Sequence, residues 1–568
     1  MLYWMALFVM FNFHCFGGCP YLAKQNSEYE ASFSEEPTCC EDCQSNQGKP
    51  CNNTPYPSDA SNDLGDCPPC ANQTSNITVP LPEDSLPYRV TIEQADFSLP
   101  AGIHSFAYAV YGDEWLLIGG RTNGLHDVDN TDPTVNAFSP SQRNTNVFVI
   151  NPNTKETYYR SLYDTSSGLS QPQIDILSAT NTLFSYANNK NILYLVGGYG
   201  IDTASNTMNT KQTLTAIDVP NLIKWVKNSR KAKSAAKCVR TIFNPIFQVT
   251  GGVMLQSNEH QPYLLAFGQN YSGNYTTSLD GTYSQQIRPI QIIDNGRNLF
   301  VKIGSQPNPL PEYRRRDLNV VPIIKKNGGA FNMGFSAFSG VFTPGDNNGA
   351  PGAWTVPIEI NPDGSSHMLS LNDPNSLAQG MNNYSCPTTG LYSIKKNCMY
   401  TLLFGGISAA LFSDGSSCNT DPNPQCNCCT AWVPAKGNIF TICCNLPFTN
   451  DVTTIEIDNQ GIYRQYIMSG TYPIINSFPP PCSGGPTPGP CGGGSLQTIY
   501  YFGASAAFIP AKGLPSFPNG VISLDQLEKN PTFVGYIVGG IASTILDTNC
   551  STDTQASPYI FKVTITPK

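Results

Sequence analysis

An all-β repeat architecture is predicted for this chain of 568 residues by three observations. A short apolar, β-prone run closing on a glycine pair recurs at long, fairly regular intervals. It reads W-L-L-I-G-G-R at 115–121, L-Y-L-V-G-G-Y at 193–199, Y-T-L-L-F-G-G-I-S at 400–408 and Y-I-V-G-G-I at 536–541, with a weaker copy, Y-L-L-A-F-G-Q, at 263–269. A later run in each unit ends in Asp or Asn beside a turn former, as in I-N-P-N, I-D-N-G, I-N-P-D-G and I-D-N-Q-G. Gly (48), Pro (46), Tyr (28) and Phe (28) are abundant while charged residues make up 13%, a mix that suits short strands joined by many turns.

Taken in order, the strands form units of constant plan. Y-R-V-T-I-E at 88–93 alternates like a half-buried strand. The first unit then has H-S-F-A-Y-A-V at 104–110, the glycine-pair strand, N-V-F-V-I-N-P at 146–152 and T-Y-Y-R-S-L at 157–162. The second has I-L-S-A-T-N at 176–181, the glycine-pair strand, T-L-T-A-I-D-V at 213–219 and, past a basic loop, T-I-F-N-P-I-F at 241–247. The third has V-M-L-Q at 253–256, the 263–269 run, P-I-Q-I-I-D at 289–294 and L-F-V-K-I at 299–303. The fourth has V-V-P-I-I-K at 320–325, F-S-A-F-S-G-V-F at 335–342, V-P-I-E-I-N-P-D-G at 356–364 and M-L-S-L at 368–371. The fifth has Y-S-C-P-T-T-G-L-Y at 384–392, the 400–408 run, T-T-I-E-I-D at 453–458 and Y-R-Q-Y-I-M at 463–468.

A hydrophobic strand ending in Gly-Gly, followed by a strand ending in Asp, resembles the kelch repeat. Kelch units form four-stranded blades of a β-propeller, as in the central domain of galactose oxidase and in sialic-acid mutarotases. In texture the chain is similar to secreted kelch-type proteins of bacteria. The resemblance covers residue 88 to the end. The spacing is roughly seventy residues against the usual fifty or so, and most units lack the customary late Trp, so long loops are implied. The resemblance implies a fold and says little of activity. In the last unit, runs at 500–508, 536–541 and 559–566 supply three strands, and 88–93 supplies the fourth from the other end. Such pairing closes the ring and removes free edges. The expectation is a six-bladed kelch-type β-propeller with a Cys-rich N-terminal tail. The alternative is seven-bladed, with 520–527 as a strand of its own. Insertions at about 414–450 and 469–495 absorb the excess length in the six-bladed reading. The glycine-pair strand is expected close to the central channel, where a missing Cβ lets backbones approach.

Net charge is −9 and no basic stripe exists, which argues against a nucleic-acid partner. Twenty cysteines point to an oxidising compartment. Residues 1–18 read as a signal peptide, or as a membrane or lipid anchor, since Cys19 follows a short apolar run. Residues 19–85 read as a Cys-, Ser-, Asn- and Pro-rich tail, and 86–568 as the propeller. Sequons stand at Asn52, Asn72, Asn76, Asn270, Asn274, Asn383 and Asn549. Disulfide candidates are Cys386 with Cys398, Cys482 with Cys491, and the crowd of Cys418, Cys426, Cys428, Cys429, Cys443 and Cys444. That crowd has no His nearby and no clean pair of C-x-x-C knuckles, so zinc loses to disulfides.

The chain has five histidines: His14, His104, His126, His260 and His367. A galactose-oxidase-like copper site would need two His and two Tyr, one of them linked to Cys. No two of these histidines outside the leader stand in a matching context, so no cofactor is expected. The most suggestive constellation is Arg121, Asn123 and His126 after the first glycine pair, with His104 on the preceding strand. Arg can grip a carboxylate bidentately and His can move a proton near neutral pH. The competing reading is a hydrogen-bonded loop with one core histidine. Asp127, Asp129 and Asp132 alternate as calcium ligands do, without the Gly and Glu of an EF-hand. Arg315 and Asp317 lie in an R-R-R-D run, and Asn382 in a sequence of amide and aromatic groups of the kind sugars use. The segment at 224–237 is another dense positive run. These features suit a secreted or cell- or virion-surface propeller that binds a glycan or protein partner through its loops without catalysis. The alternatives are a sugar-acting enzyme at the channel mouth, mutarotase-like or oxidase-like, and a structural coat or matrix component.

Overall fold

The computed structural model describes residues 80–126, 137–276, 281–327, 329–341, 343, 354–370, 372–381, 383, 385–408, 448–475, 500–544 and 553–568, and the backbone of 429–433 and 438–442. Among them are six sheets of four or more strands, each built on one antiparallel four-stranded meander. The first holds Ala107–Tyr111, Glu114–Ile118, Asn146–Asn151 and Glu156–Ser161. The second holds Leu183–Ala187, Ile192–Val196, Gln212–Asp218 and Val239–Gln248. The third holds Val253–Leu255, Tyr263–Ala266, Ile287–Asp294 and Leu299–Ile303. The fourth holds Asn319–Pro322, Phe335–Phe338, Ile358–Ile360 and Ser366–Met368. The fifth holds Thr388–Ser393, Cys398–Ile407, Phe448–Ile457 and Tyr463–Thr471. The sixth holds Ala507–Pro510, Thr532–Val538, Ile560–Pro567 and, from the other end of the chain, Tyr88–Gln94.

The pairing of the two ends is therefore present. Its register runs from Tyr88 opposite Pro567 to Gln94 opposite Phe561. Tyr88, Val90 and Ile92 are buried while Arg89, Thr91 and Glu93 are exposed, the period-two pattern that fixes this register. Burying each of the three stabilises the closure by about 1.5–3 kcal/mol.

The second strand of the first five meanders, and the end of the sixth, is buried on both faces, which explains an unbroken apolar run where a surface strand would alternate. Leu116 and Ile118 pack with Leu193 and Leu195 of the second sheet, while Trp115 and Leu117 pack with Ile509 and Val538 of the sixth. Tyr194 and Val196 in turn meet Leu265 of the third. The sheets are thus stacked face to face in succession around a common centre. The first strands, not the glycine-pair strands, lie innermost: residues of all six line one cavity of about 310 Å³. The architecture is a β-propeller. The glycine-pair strand stands one place further out than the sequence suggested.

Its glycines still answer to close approach. Gly119, Gly120, Gly197 and Gly198 all have φ between 64° and 87°. Gly120 N–H donates to the Ala179 carbonyl, Gly198 N–H to Val249, Gly268 N–H to Arg315 and Gly540 N–H to Ile103, each bond crossing to the next sheet. A Cβ on Gly197 would sit 1.9 Å from the Val249 oxygen.

Three expectations need correction. Residues 176–181 are not a strand: Gln171–Leu177 is a helix, opened by a capping box between Ser170 and Gln173 with a proline in its first turn. Its apolar residues Ile174 and Leu177 enter the core from a helix face instead. Within 520–527 only Ile522–Ser523 is extended; it adds in parallel to Thr388–Ser393 and founds no further sheet. Leu81–Pro82, expected in the tail, adds in parallel to the outer strand of the fifth sheet, and the Glu83 carboxylate accepts from Ser469 N–H and Oγ.

Candidate functional site at the propeller axis

Each first strand is entered through a residue held at positive φ. These are Ser105 (53°), Asn181 (50°), Gly251 (68°), Asp317 (50°), Ser385 (52°) and Ser505 (54°). Five of the six are not glycine, and the left-handed region costs such residues about 1 kcal/mol or more. The strain is held by hydrogen bonds between sheets. Asp317 N–H donates to the Gly251 carbonyl, Gly251 to Asn181, Asn181 to Ser105, Ser105 to Ser505, and Ser505 to Ser385. Between Asp317 and Ser385 the Asn319 side chain bridges instead, donating to the Asn383 carbonyl at 2.7 Å and accepting from Cys386 N–H at 3.1 Å. A near-complete girdle of peptide groups thus encircles the axis.

The girdle carries polar side chains, all half-buried. Asn181 Nδ2 donates to Asp317 Oδ1 at 3.0 Å, and Arg316 pairs with Asp317 Oδ2 at 3.1 Å. The Ser385 and Ser505 hydroxyls lie 3.2 Å apart, and Ser105 Oγ meets His104 Nδ1 at 3.0 Å. On one side lies the 310 Å³ cavity, whose wall is aromatic: Phe106, Tyr108, Phe184 and Phe508. Tyr108 and Phe184 pack edge to face at 5.3 Å, and Tyr108 Oη donates to the Phe508 carbonyl. Asn181, Gly251 and Asp317 also line a second cavity of about 30 Å³, walled by Phe138, Tyr199, Tyr271 and Tyr275 and large enough for a water or two.

His104 and Arg121 come together but do not open onto either cavity. Their backbones pair across the strand entrance, and they are 5% and 3% exposed. Burial, and then the Arg121 charge, pull the His104 pKa down to about 3, so its imidazole is neutral. Its Nε2 has no hydrogen bond of good geometry among the described residues, and the nearby backbones of Gly124 and Asn123 offset only part of the shift. Arg121 Nε donates to Asn123 Oδ1 at 2.9 Å, its guanidinium lies over Phe138, and burial lowers its pKa to about 10. No carboxylate among the described residues pairs with it. His126 packs on Phe138 and Tyr275, 4.7 and 4.9 Å between ring centres. Among the described residues the four form a clasp for the loop, with His104 and Arg121 buried beneath it.

Arg315, expected to meet a ligand, is fully buried. It donates to the carbonyls of Glu312 and Ser339 and stacks on Trp354, and burial lowers its pKa to about 9. Among the described residues Asp317 is the one sequence candidate that the structure puts on the axis. Asn382 and the calcium candidates Asp127, Asp129 and Asp132 lie outside the described residues. Among the described residues no cluster of three His, Cys, Asp or Glu could hold a metal.

The Cys386–Cys398 disulfide is overturned: both are free, buried thiols. The hairpin pairs Cys398 with Ser393, seven residues past Cys386, which separates the two by roughly 20 Å. Cys418, Cys426, Cys428, Cys443, Cys444, Cys482 and Cys491 lie outside the described residues, and Cys429 opens a strand described by backbone alone. Asn383 cannot carry a glycan in this fold: it is fully buried, its Nδ2 donates to the Gly405 carbonyl and its Oδ1 accepts from Thr453. Asn270 and Asn274 are half-buried, and Asn52, Asn72, Asn76 and Asn549 lie outside the described residues.

No family model matches the chain, and no curated protein matches it. Among solved structures it is similar to YjhT at 12% identity, covering 83% of this chain and 98% of that one, with a TM-score of 0.38. A thermostable family-43 glycoside hydrolase (11% identity, 70% and 100% covered, TM-score 0.26) and polysaccharide lyase Uly1 (9%, 82% and 90%, 0.27) follow. Likeness this distant leaves function to be read from the chain's own residues.

Proposed function

We propose that the chain is a six-bladed, kelch-type propeller that recognises a carbohydrate at its axis and does not transform it. One observation carries this reading: a cavity of about 310 Å³ with hydroxyl, amide and carboxylate groups at its girdle and aromatic rings on its wall. Sugars need both, hydrogen-bond partners for their hydroxyls and an apolar face for their ring carbons. The volume suits one or two sugar rings, at the small end of the usual range for ligand pockets. Catalysis of sugar chemistry would call for a paired acid and base, and here His104 is locked neutral behind the girdle while Asp317 is tied to Arg316 and Asn181. We further propose that the protein is secreted or surface-displayed, a reading supported by its twenty cysteines and the apolar run at 1–16.

The test is a glycan array on the full chain, followed by calorimetric titration of any hit against Asn181→Ala and Phe184→Ala. Binding that weakens at least tenfold in both variants supports the proposal. Turnover of the bound sugar, or affinity indifferent to both substitutions, overturns it.

A further inference from the structure

The basic run at 224–237 lies at the rim between the first two sheets, away from the axis. The helix Val219–Val226 is capped by Asp218, whose side chain accepts from Asn221 N–H. Val219, Leu222, Ile223, Trp225 and Val226 bury one face against Leu116, Ile118, Leu193 and Leu195. Ala235 and Cys238 return the following loop to the same core, Trp225 Nε1 donates to Ser166 Oγ, and Ala236 N–H donates to the Ser167 carbonyl. The segment is therefore fixed at both ends.

Its outer face is cationic. Lys224, Arg230, Lys231, Lys233 and Lys237 are all exposed, and none forms an ion pair among the described residues. Only Lys227 has a partner, Glu114. No Asp or Glu occurs between 219 and 238. In a chain of net charge −9, the exposed cations of this anchored segment repel one another. An external polyanion would relieve that repulsion. Asn228, Ser229 and Ser234 interleave the cations with groups that hydrogen-bond to hydroxyls, and no large apolar side chain between 224 and 237 is exposed to enter a bilayer.

We propose that this segment is a docking platform for an acidic polysaccharide, one bearing sulfate or uronate groups. The platform is independent of the axial cavity, and its test leaves that cavity intact.

The full chain is titrated with dextran sulfate, neutral dextran and phosphatidylserine-containing vesicles, at about 0.15 M and 1 M NaCl, where charges are screened over about 8 and 3 Å. One variant replaces Lys224, Arg230, Lys231, Lys233 and Lys237 with serine. A control replaces five exposed lysines elsewhere, Lys190, Lys302, Lys395, Lys396 and Lys529. The expected result is binding to dextran sulfate alone, abolished at high salt, weakened at least tenfold in the platform variant and less than threefold in the control. Equal loss in the two variants, absence of binding, or binding to vesicles in preference to dextran sulfate overturns the proposal.

Discussion

Replacing His104 with glutamine should flatten the acid side of the stability profile. In the folded protein burial and the neighbouring Arg121 charge hold the His104 pKa at about 3. In the unfolded chain a histidine titrates near 6.5. Below about pH 6.5 the unfolded chain therefore takes up a proton that the folded protein refuses until about pH 3. Stability from this group is complete above the unfolded value and falls as pH drops, by about 1.4 kcal/mol per pH unit at most. Between pH 7 and pH 5 the loss comes to about 2 kcal/mol. The assay is urea unfolding of the wild type and His104→Gln at both pH values, with the histidine C2-proton resonances followed in parallel. The pH-dependent loss should be smaller in the variant by about 2 kcal/mol, and the His104 resonance should stay unmoved to about pH 4. An equal loss in both proteins, or a resonance titrating near 6.5, would refute the reasoning that the clasp is closed to water.

Two glycines at similar φ separate strain from space: Gly120→Ala puts a Cβ 2.2 Å from the His104 oxygen, whereas Gly112→Ala meets nothing within 4 Å. Thermal denaturation should show a cost above about 3 kcal/mol for the first and about 1 kcal/mol for the second. Ile92→Ala, on the strand that joins the two ends of the chain, should cost about 2–4 kcal/mol while Glu93→Ala stays within about 0.5. Under native conditions Cys238, Cys386 and Cys398 should resist alkylation and then react on unfolding; a 386–398 disulfide in a peptide map would contradict the register. Expressed in a glycosylating host, the chain should carry no glycan at Asn383, as read by mass spectrometry.

The architecture was legible wherever a local rule and the global packing agree. A strand buried on both faces must be apolar throughout, and a strand whose N–H reaches the next sheet must end in glycine, so the glycine pairs announced the repeat. The closing strand showed itself through the alternation of Tyr88, Val90 and Ile92. The helix Gln171–Leu177 escaped because its apolar residues read equally well as a strand, although Ser170, Pro172 and Gln173 marked its start. The site was less legible. His104 and Arg121 drew attention by residue type, yet burial decided their role. Ser105, Ser385 and Ser505 were missed because a serine before an apolar run carries no chemical signature, and Asn181 because it was read as the end of a strand. Their equivalence lies in one repeated backbone angle, and only Gly251, and to a lesser degree Asn181 and Asp317, hint at it in sequence.

Sugar recognition at the axis is tested most directly by crystals of the full chain soaked in a panel of mono- and disaccharides. Electron density for a sugar ring between the girdle of Ser105, Asn181 and Asp317 and the wall of Phe184 and Phe508 is the predicted result. A saccharide bound only elsewhere, with the axial cavity empty, would contradict it.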